Sequence, residues 1–335
     1  MSLKKIICLF LCISMLLPVL VGCNNQPQQT QTTGTTGPTE PTESAQEASW
    51  LKILVIGNSH SLDTFQFLAE AFRDQLPEQN IVAASLYYSG CSINMHNSFA
   101  ANEEPVYRFT LNKNGKVTVM NNVTMQTGLQ AQKWDIIVLQ GSTADLDNTL
   151  NRTGRRLLEE IVADNAAQPY TLAWHTTWPS PDDETFFSPD WVRQPPEGYK
   201  DDLIRLFGFN PITQFGVQTQ KAKYNILSDD TYAYKICTGA AIMQAHYVQN
   251  IPQLEIWRDY THLSDYGRLI AAYAMYAQLT GNKITSINID LIPVERRHEQ
   301  FKAEGDLTVT DEMKQAIIAA ANHSLDDPWT VPAQN

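Results

Sequence analysis

Short apolar runs rich in β-branched residues alternate with longer segments of helical periodicity through most of this chain. Residues 51–56 end at a Gly-Asn turn, which indicates a buried strand, and apolar residues in 62–76 then recur at helical spacing until Pro77. The same pattern predicts further strands at 81–86, 135–140, 170–174 and 232–237, and helices at 155–166 and 240–248. Strands that alternate with helices form a parallel sheet covered on both faces. The sequence therefore predicts an α/β domain.

Two stretches interrupt this alternation. Residues 106–120 alternate in polarity around Asn114-Gly115, a dipeptide typical of two-residue hairpin turns, so an inserted hairpin is predicted at about 104–122. Residues 179–216, rich in Pro, Asp, Trp and Phe, are too long for an ordinary connection in a compact domain. This second insertion either lines a binding cleft or packs on the surface, and the sequence leaves both interpretations open.

The first 23 residues carry a targeting pattern. Lys4 and Lys5 precede an apolar stretch, which ends in Leu20-Val21-Gly22-Cys23. That tetrapeptide resembles the lipobox of bacterial lipoproteins, in which the cysteine is acylated and becomes the first residue. The stretch is shorter than the ~20 residues of a membrane-spanning helix, which disfavours a transmembrane anchor. We therefore expect a signal peptide at 1–22 and an extracytoplasmic, cell-surface protein held to the bacterial membrane by acylated Cys23.

Composition divides the rest of the chain. Residues 23–49 are dominated by Gln, Thr, Gly, Pro, Ser and Glu, so a disordered tether is predicted there. The folded domain is placed at 50–285, followed by a C-terminal extension packed on it at 286–335, with Thr310 capping a helix over 313–320. Cys91 and Cys237 either pair or remain free thiols.

The acidic charge of the chain limits its partners. The formal net charge is −12 and no basic block occurs, so little is present to neutralise phosphates and a nucleic-acid partner is not expected. Neither a Gly-rich phosphate loop nor a clustered His/Cys metal signature occurs, and no cofactor or metal is predicted. A neutral small-molecule or glycan ester fits this charge better.

Ser59 lies in the turn that follows the first predicted strand, in Ile56-Gly57-Asn58-Ser59-His60-Ser61. Ligands of parallel α/β sheets bind beyond the carboxyl ends of the strands, which places this serine at the functional edge. N–H groups at the start of the next helix lack intrahelical partners and would face an oxyanion formed beside Ser59. A serine that opens a helix is more often only an N-cap.

Asp259 and His262 precede an amphipathic helix that ends at Gly281. A carboxylate three residues before an imidazole reaches its Nδ1–H within one turn and leaves Nε2 to face a hydroxyl, as a serine nucleophile requires. Taken alone, an aspartate capping the helix above a packed histidine is the commoner arrangement.

Together the two motifs resemble the SGNH, or GDSL-like, hydrolase superfamily, in which Gly-Asn-Ser follows the first strand and Asp-x-x-His precedes the last helix. Gly90, after the second strand, matches the glycine whose amide serves the oxyanion hole there. The resemblance covers 50–282 and is greatest to a poorly characterised family of secreted bacterial proteins. It implies a three-layer α/β/α sandwich with a flavodoxin-like parallel sheet, and a catalytic triad of Ser59, His262 and Asp259 that hydrolyses acyl esters.

One block departs from the superfamily pattern. Where the superfamily has Gly-x-Asn-Asp, with an asparagine that donates to the oxyanion, this chain has Gly141-Ser142-Thr143-Ala144. Gln140 is the preferred substitute because it also carries a side-chain amide, and the hydroxyls of Ser142 and Thr143 are alternatives. Loss of one such donor typically costs ~100-fold or more in rate. The chain therefore has either a rebuilt oxyanion hole or a weakened one.

Less specific signals predict further substrate contacts, although a structural role is commoner for each of these residues: His60, His96, Ser142, His175 and Trp178, with Trp174 and Trp191 as further faces for a sugar. The favoured function is a serine esterase that removes small acyl groups from carbohydrate. A lipid or lysophospholipid esterase is one alternative. A non-catalytic surface glycan-binding protein on an SGNH scaffold is the other.

Overall fold

The computed structural model describes residues 49–141, 149–181, 198, 210–292 and 307–332. The predicted signal peptide, Cys23, nearly all of the tether, Ser142, Trp191 and most of the 179–216 insertion lie outside these residues. Within the described ranges, no helix is long and apolar enough to cross a membrane.

Seven strands form one mixed sheet in the order β4-β3-β2-β1-β5-β6-β7. The parallel strands are β1 (Trp50–Gly57), β2 (Asn80–Tyr87), β5 (Ile136–Gly141), β6 (Thr171–Thr176) and β7 (Tyr234–Cys237). Taken alone, they follow the 2-1-3-4-5 order of flavodoxin-like sheets. The α/β class predicted from the sequence is confirmed.

A hairpin of β3 (Tyr107–Lys113) and β4 (Lys116–Val123) extends this sheet, because β3 pairs antiparallel with β2. Asn114 and Gly115 have φ values of 49° and 91°. Positive φ at both central residues is what a type I′ turn requires, and it explains the Asn-Gly dipeptide. The hairpin is confirmed, whereas the prediction of a wholly parallel sheet is wrong, because this hairpin continues the sheet past β2.

Helices cover both faces of the sheet. Along β1, Ile53 and Val55 pack in one core cluster and Leu54 and Ile56 in another, as the alternation of side chains in a strand requires. The described helices are α1 (Ser59–Phe65), α2 (Leu68–Gln75), α3 (Ile93–Ala101), α4 (Met125–Gln130), α5 (Thr149–Asn165), α6 (Pro211–Asn225), α7 (Thr238–Tyr247), α8 (Gln253–Ile256), α9 (Asp265–Thr280) and α10 (Asp311–Asp326), with a 3₁₀ turn at Ile289–Leu291. The first cluster includes side chains of α2, α7, α9 and α10, and the second includes side chains of α3, α4 and α5.

The single helix expected over 62–76 is two helices, α1 and α2. Phe67 has a non-helical ψ of 12° and is fully buried, as are Leu68 and most of Phe65. Positions 65 and 67 lie about 200° apart around a straight helix, so one helix cannot turn both inward. The break between α1 and α2 allows both rings to enter the core.

The last described helix, α10, buries Ile317, Ala320 and Ala321 in the cluster that also contains α9, and its Ala316 is buried as well. Thr310 caps it as predicted, since its hydroxyl accepts a hydrogen bond from the amide of Met313 at 3.2 Å. The predicted domain boundaries themselves remain predictions. Of the two alternatives for the cysteines, the structure has buried thiols that form no disulfide at Cys91 and Cys237.

Candidate active site

Ser59 is the first residue of α1, directly after the turn that ends β1. The N-cap of this helix is Asn58, whose Oδ1 accepts a hydrogen bond from the amide of His60 at 3.1 Å. Because Asn58 serves as the cap, the hydroxyl of Ser59 is not used for capping. The structural interpretation of this serine as an N-cap is therefore wrong.

Three side chains from two distant segments form a hydrogen-bonded chain. His262 Nε2 lies 2.8 Å from Ser59 Oγ, across 203 positions of sequence. On the other side of the ring, His262 Nδ1 lies 2.9 and 2.8 Å from the two carboxylate oxygens of Asp259. A carboxylate only accepts hydrogen bonds, so the neutral imidazole carries its proton on Nδ1 and Nε2 accepts from the serine hydroxyl. This arrangement prepares Nε2 to take the hydroxyl proton.

Asp259 both orients His262 and holds its own loop. Its Oδ1 accepts hydrogen bonds from the amides of Thr261 and His262 at 2.9 and 2.8 Å. Burial acts to raise the pKa of this carboxyl, but the hydrogen bond and charge of His262 and the two amides outweigh it and lower the pKa to about 2. The carboxylate is therefore ionised at neutral pH, where it can stabilise a protonated imidazole.

Asp63, on α1, holds the loop that carries Asp259 and His262 against this helix. It is 1% exposed, and its carboxylate accepts hydrogen bonds from Arg258 Nη1 at 3.0 Å, Arg268 Nε at 2.9 Å and the amide of Leu263 at 2.9 Å. Burial acts to raise the pKa of Asp63, but Arg268 and Arg258 hold it below its usual range. The amide of Arg258 also donates to the carbonyl of His262 at 3.0 Å. Sequence analysis missed Asp63, although an acidic residue one turn after Ser59, between Leu62 and Phe65, was a usable signal.

The turn that carries Gly90 lies beside the Ser59 turn. Asn58 Nδ2 donates to the carbonyl of Cys91 at 3.1 Å, and the amide of Tyr88 donates to the carbonyl of Gly57 at 3.3 Å. Gly90 is exposed and has a φ of 63°, a left-handed conformation that favours glycine. The amides of Ser59 and Gly90 have no backbone acceptor among the described loops and turns. Both are therefore free to donate to a bound group.

Gln140 does not occupy the place predicted for it. Its Oε1 accepts a hydrogen bond from the amide of Asn58 at 3.0 Å, and its Nε2 is buried with no hydrogen-bond partner. A buried nitrogen does not reach an oxyanion in the cleft, so its predicted role as an oxyanion donor is corrected. Gln140 instead supports the turn before Ser59. The alternative donors, Ser142 and Thr143, lie outside the described residues.

His60 and Trp178 pack against the loop that carries His262. His60 Nε2 lies 2.7 Å from Thr261 Oγ1, and Trp178 Nε1 donates to the carbonyl of Thr261 at 2.9 Å. The two rings lie 5.0 Å apart, and Trp178 is 2% exposed. Burial and the nearby His262 lower the pKa of His60 to about 4, which keeps its ring neutral. Trp178 is buried instead of facing substrate, and His60 has a supporting role in the loop.

His96 and His175 lie in the interior, so the prediction that they contact substrate is wrong. His96 Nδ1 lies 2.8 Å from the hydroxyl of Tyr107, and His175 Nε2 lies 2.8 Å from Thr238 Oγ1. Burial lowers the pKa of His96 to about 4 and that of His175 to about 3. Trp174 is likewise fully buried. Packing in the interior therefore accounts for the positions of these three side chains, and no ligand is needed to explain them.

The chemistry available at the site is that of a hydroxyl, an imidazole and a carboxylate. In the part of the chain that the structure describes, no three His, Cys, Asp or Glu side chains are grouped so that they could hold a metal ion. The geometry supports proton abstraction from Ser59 and attack by its oxygen on an electrophilic carbon.

Fold and site together define the class: an α/β protein with a serine, histidine and aspartate joined by hydrogen bonds at the carboxyl edge of its sheet. Residues 52–300 match the family described as "Domain of unknown function (DUF4886)". The chain belongs to this family. It is similar to the crystal structure of a DUF4886 family protein from Bacteroides uniformis ATCC 8492, with a TM-score of 0.65 and 21% identity over 85% of this chain and 98% of the other. At that identity the likeness concerns the fold. A comparison with curated proteins found no match.

Proposed function

We propose that this protein is a serine esterase of the SGNH type that hydrolyses acyl esters. One observation carries the proposal: Ser59 Oγ lies 2.8 Å from His262 Nε2, while Asp259 occupies the opposite nitrogen of the same ring. These are the contacts that activate a serine nucleophile. The resemblance of the Gly-Asn-Ser and Asp-x-x-His motifs to the SGNH superfamily names the reaction class.

The proposed reaction has two halves. His262 Nε2 takes the proton of Ser59 as Oγ attacks the ester carbonyl, and the amides of Ser59 and Gly90 donate to the resulting oxyanion. Asp259 stabilises the imidazolium, which gives its proton to the departing alcohol as the C–O bond breaks. A water molecule, deprotonated in turn by His262, then attacks the acyl carbon on Ser59. As the bond between that carbon and Oγ breaks, His262 returns the proton to Oγ and the carboxylic acid is released. No cofactor takes part.

We further infer that the domain has the three-layer α/β/α architecture of SGNH hydrolases. Helices on both faces of the sheet and the 2-1-3-4-5 order of its parallel strands support this assignment. The hairpin of β3 and β4 is then an addition at one edge of the sheet.

Small acyl groups on carbohydrate are the proposed substrates. A lipid esterase would need an apolar collar around Ser59. In the described ranges, the exposed large apolar side chains are not on the turn or the loop that carries the triad. They lie on β4, α5 and α6 and directly after α7: Val117, Val119, Met120, Leu157, Tyr224 and Val248. Acylation of Cys23, which we propose as the membrane anchor, would place the domain at the cell surface, where glycans are accessible.

Hydrolysis of esters by the purified protein tests the proposal. We expect release of acetate from acetylated oligosaccharides, turnover of 4-nitrophenyl acetate, and loss of both activities in Ser59→Ala. Ser98→Ala, at an exposed position of α3, is the matched control and should retain both. Preference for long acyl chains would favour the lipid esterase instead. Glycan binding without turnover would favour the non-catalytic scaffold.

A further inference from the structure

A groove lies between α1 and the hairpin of β3 and β4. Its volume is about 270 Å³, and it is lined by Leu62, Phe65, Gln66, Arg108, Thr110, Asn112, Val117, Val119 and Arg268. The strand register explains its position. Thr110 pairs across the sheet with Ser85, which pairs with Val55, so all three face the side that α2 and α9 cover. The hairpin projects past these helices and leaves its face open beside α1.

One end of the groove lies at the same sheet edge as the triad. Gly57, Tyr87 and Arg108 are register partners across three adjacent strands. Neighbouring strands are ~4.8 Å apart, so the backbone of Arg108 is roughly 10 Å from the strand end that carries Ser59. Leu62, in the groove wall, is one helical turn from Ser59 and shares its side of α1. A substrate bound through its ester at Ser59 can therefore extend into the groove.

The groove combines apolar and polar side chains, and one cation in it forms no salt bridge with a described residue. Val117 and Val119 are 39% and 43% exposed, so these side chains are available to a ligand. The guanidinium of Arg268 is paired with Asp63 and Asp265. Arg108 is exposed and forms no salt bridge with any described residue, in a chain of net charge −12. An arginine matches a carboxylate by two parallel hydrogen bonds.

We propose that the groove binds an anionic part of the ester substrate, in which a short apolar segment joins the ester to a carboxylate that pairs with Arg108. This inference rests on the proposed esterase function and narrows its substrates to acidic esters. The carboxylate belongs either to the acyl half of the ester or to its alcohol half. The apolar segment packs on Leu62, Phe65, Val117 and Val119. Arg108 then favours substrates that carry a carboxylate at the end of this segment.

Two matched pairs of esters test the proposal and distinguish the two halves. The acyl pair is 4-nitrophenyl hexanoate and the 4-nitrophenyl monoester of adipic acid, which have equal chain lengths and differ by a terminal carboxylate. The alcohol pair is 3-acetoxybenzamide and 3-acetoxybenzoate. We expect the acidic member of one pair to have a kcat/KM on the order of tenfold above the neutral member, as one charge-assisted pair contributes. The preference should fall in about 0.5 M NaCl because salt screens an exposed pair.

Substitution of Arg108 assigns the preference to the groove. In Arg108→Gln the acidic-to-neutral ratio of kcat/KM should fall to about one. Lys113→Gln removes the same charge from the other end of β3, where Lys113 lies over the ring of Trp50, and should keep the ratio of the wild type. Hydrolysis of the neutral esters without any preference for the acidic ones would overturn the inference and leave the esterase standing. Absence of all hydrolysis would overturn both.

Discussion

At the scale of single residues, one position separates a helix cap from a nucleophile. Asn58 caps α1 through His60, so Ser59, the next residue, keeps its hydroxyl for His262. The alternative role of Asp259 as a helix cap is wrong, because the hydroxyl of Ser264 caps α9 by accepting from the amide of Gly267. The carboxylate of Asp259 instead accepts from two amides of its own loop and from the imidazole of His262. Local geometry explains why these residue types occur at this spacing.

Asp259→Asn tests the role of the carboxylate. The asparagine keeps the size and one acceptor of the side chain, but it removes the charge that stabilises an imidazolium and can favour the wrong tautomer of His262. We expect kcat for 4-nitrophenyl acetate to fall by about 10³-fold to 10⁴-fold with the fold intact by circular dichroism. Asp326→Asn, which removes an exposed partner of Lys283, is the control. A kcat within about tenfold of the wild type would contradict the proposed role.

At the scale of elements, the sequence predicted strands and helices where local periodicity was strong. It also predicted that Ser59 and the loop of Asp259 and His262 would meet. Ser59 directly follows the first strand, and the loop directly precedes the last helix of the motif, so both were placed at the functional edge of the sheet. It did not predict the break at Phe67 or the support of the loop by Asp63. The partners Arg258 and Arg268 lie 195 and 205 positions from Asp63, so their contact depends on tertiary packing and leaves no local pattern. The failure at Gln140 has the same origin, because the burial of its Nε2 depends on tertiary packing and leaves no local pattern.

Asp63→Asn tests whether α1 positions the catalytic loop. The substitution removes the buried carboxylate that Arg258 and Arg268 share and leaves Arg268 with Asp265, so we expect the free energy of unfolding to fall by about 3 kcal/mol. Displacement of the loop should also lower kcat by about 100-fold with little change in KM. Denaturant unfolding measures the free energy. Steady-state kinetics measure kcat, calculated per mole of folded enzyme.

Asp74→Asn is the matched control for this loop. Asp74 accepts hydrogen bonds from the hydroxyl of Tyr273 at 2.7 Å and from the amide of Asn288 at 3.1 Å, far along α9 from His262. Its loss should lower stability without lowering kcat. Equal kcat values in the two variants would show that Asp63 has no positioning role.

At the scale of the whole molecule, the sheet brings two distant loops to one edge while helices exclude water from both faces of its parallel strands. This burial keeps His96 and His175 neutral, with pKa values of about 4 and about 3. The unfolded chain binds protons on these rings below about pH 6.5, whereas the folded protein does not. The fold therefore becomes less stable as the pH falls from about 6.5 towards 4.

Denaturant unfolding between about pH 7 and pH 5 measures this effect. Each buried histidine should contribute on the order of 1.4 kcal/mol of lost stability per pH unit below about 6.5. His96→Gln retains a polar partner for the hydroxyl of Tyr107 and should make the dependence shallower. Asp259 acts at lower pH, because a carboxyl with a lowered pKa loses its contribution only as the pH falls below about 4. Unfolding free energies that are constant from pH 7 to pH 5 would contradict this description of the interior.

The most direct test of the central claim is covalent labelling of Ser59 by a fluorophosphonate, followed by mass spectrometry of the intact protein and its peptides. A serine activated by His262 displaces fluoride and carries the phosphonyl group on Oγ. We predict one adduct, located on Ser59, that is absent in Ser59→Ala and forms at least about 100-fold more slowly in His262→Ala. A wild-type protein that forms no adduct on Ser59, or an adduct whose rate is unchanged in His262→Ala, would contradict the account.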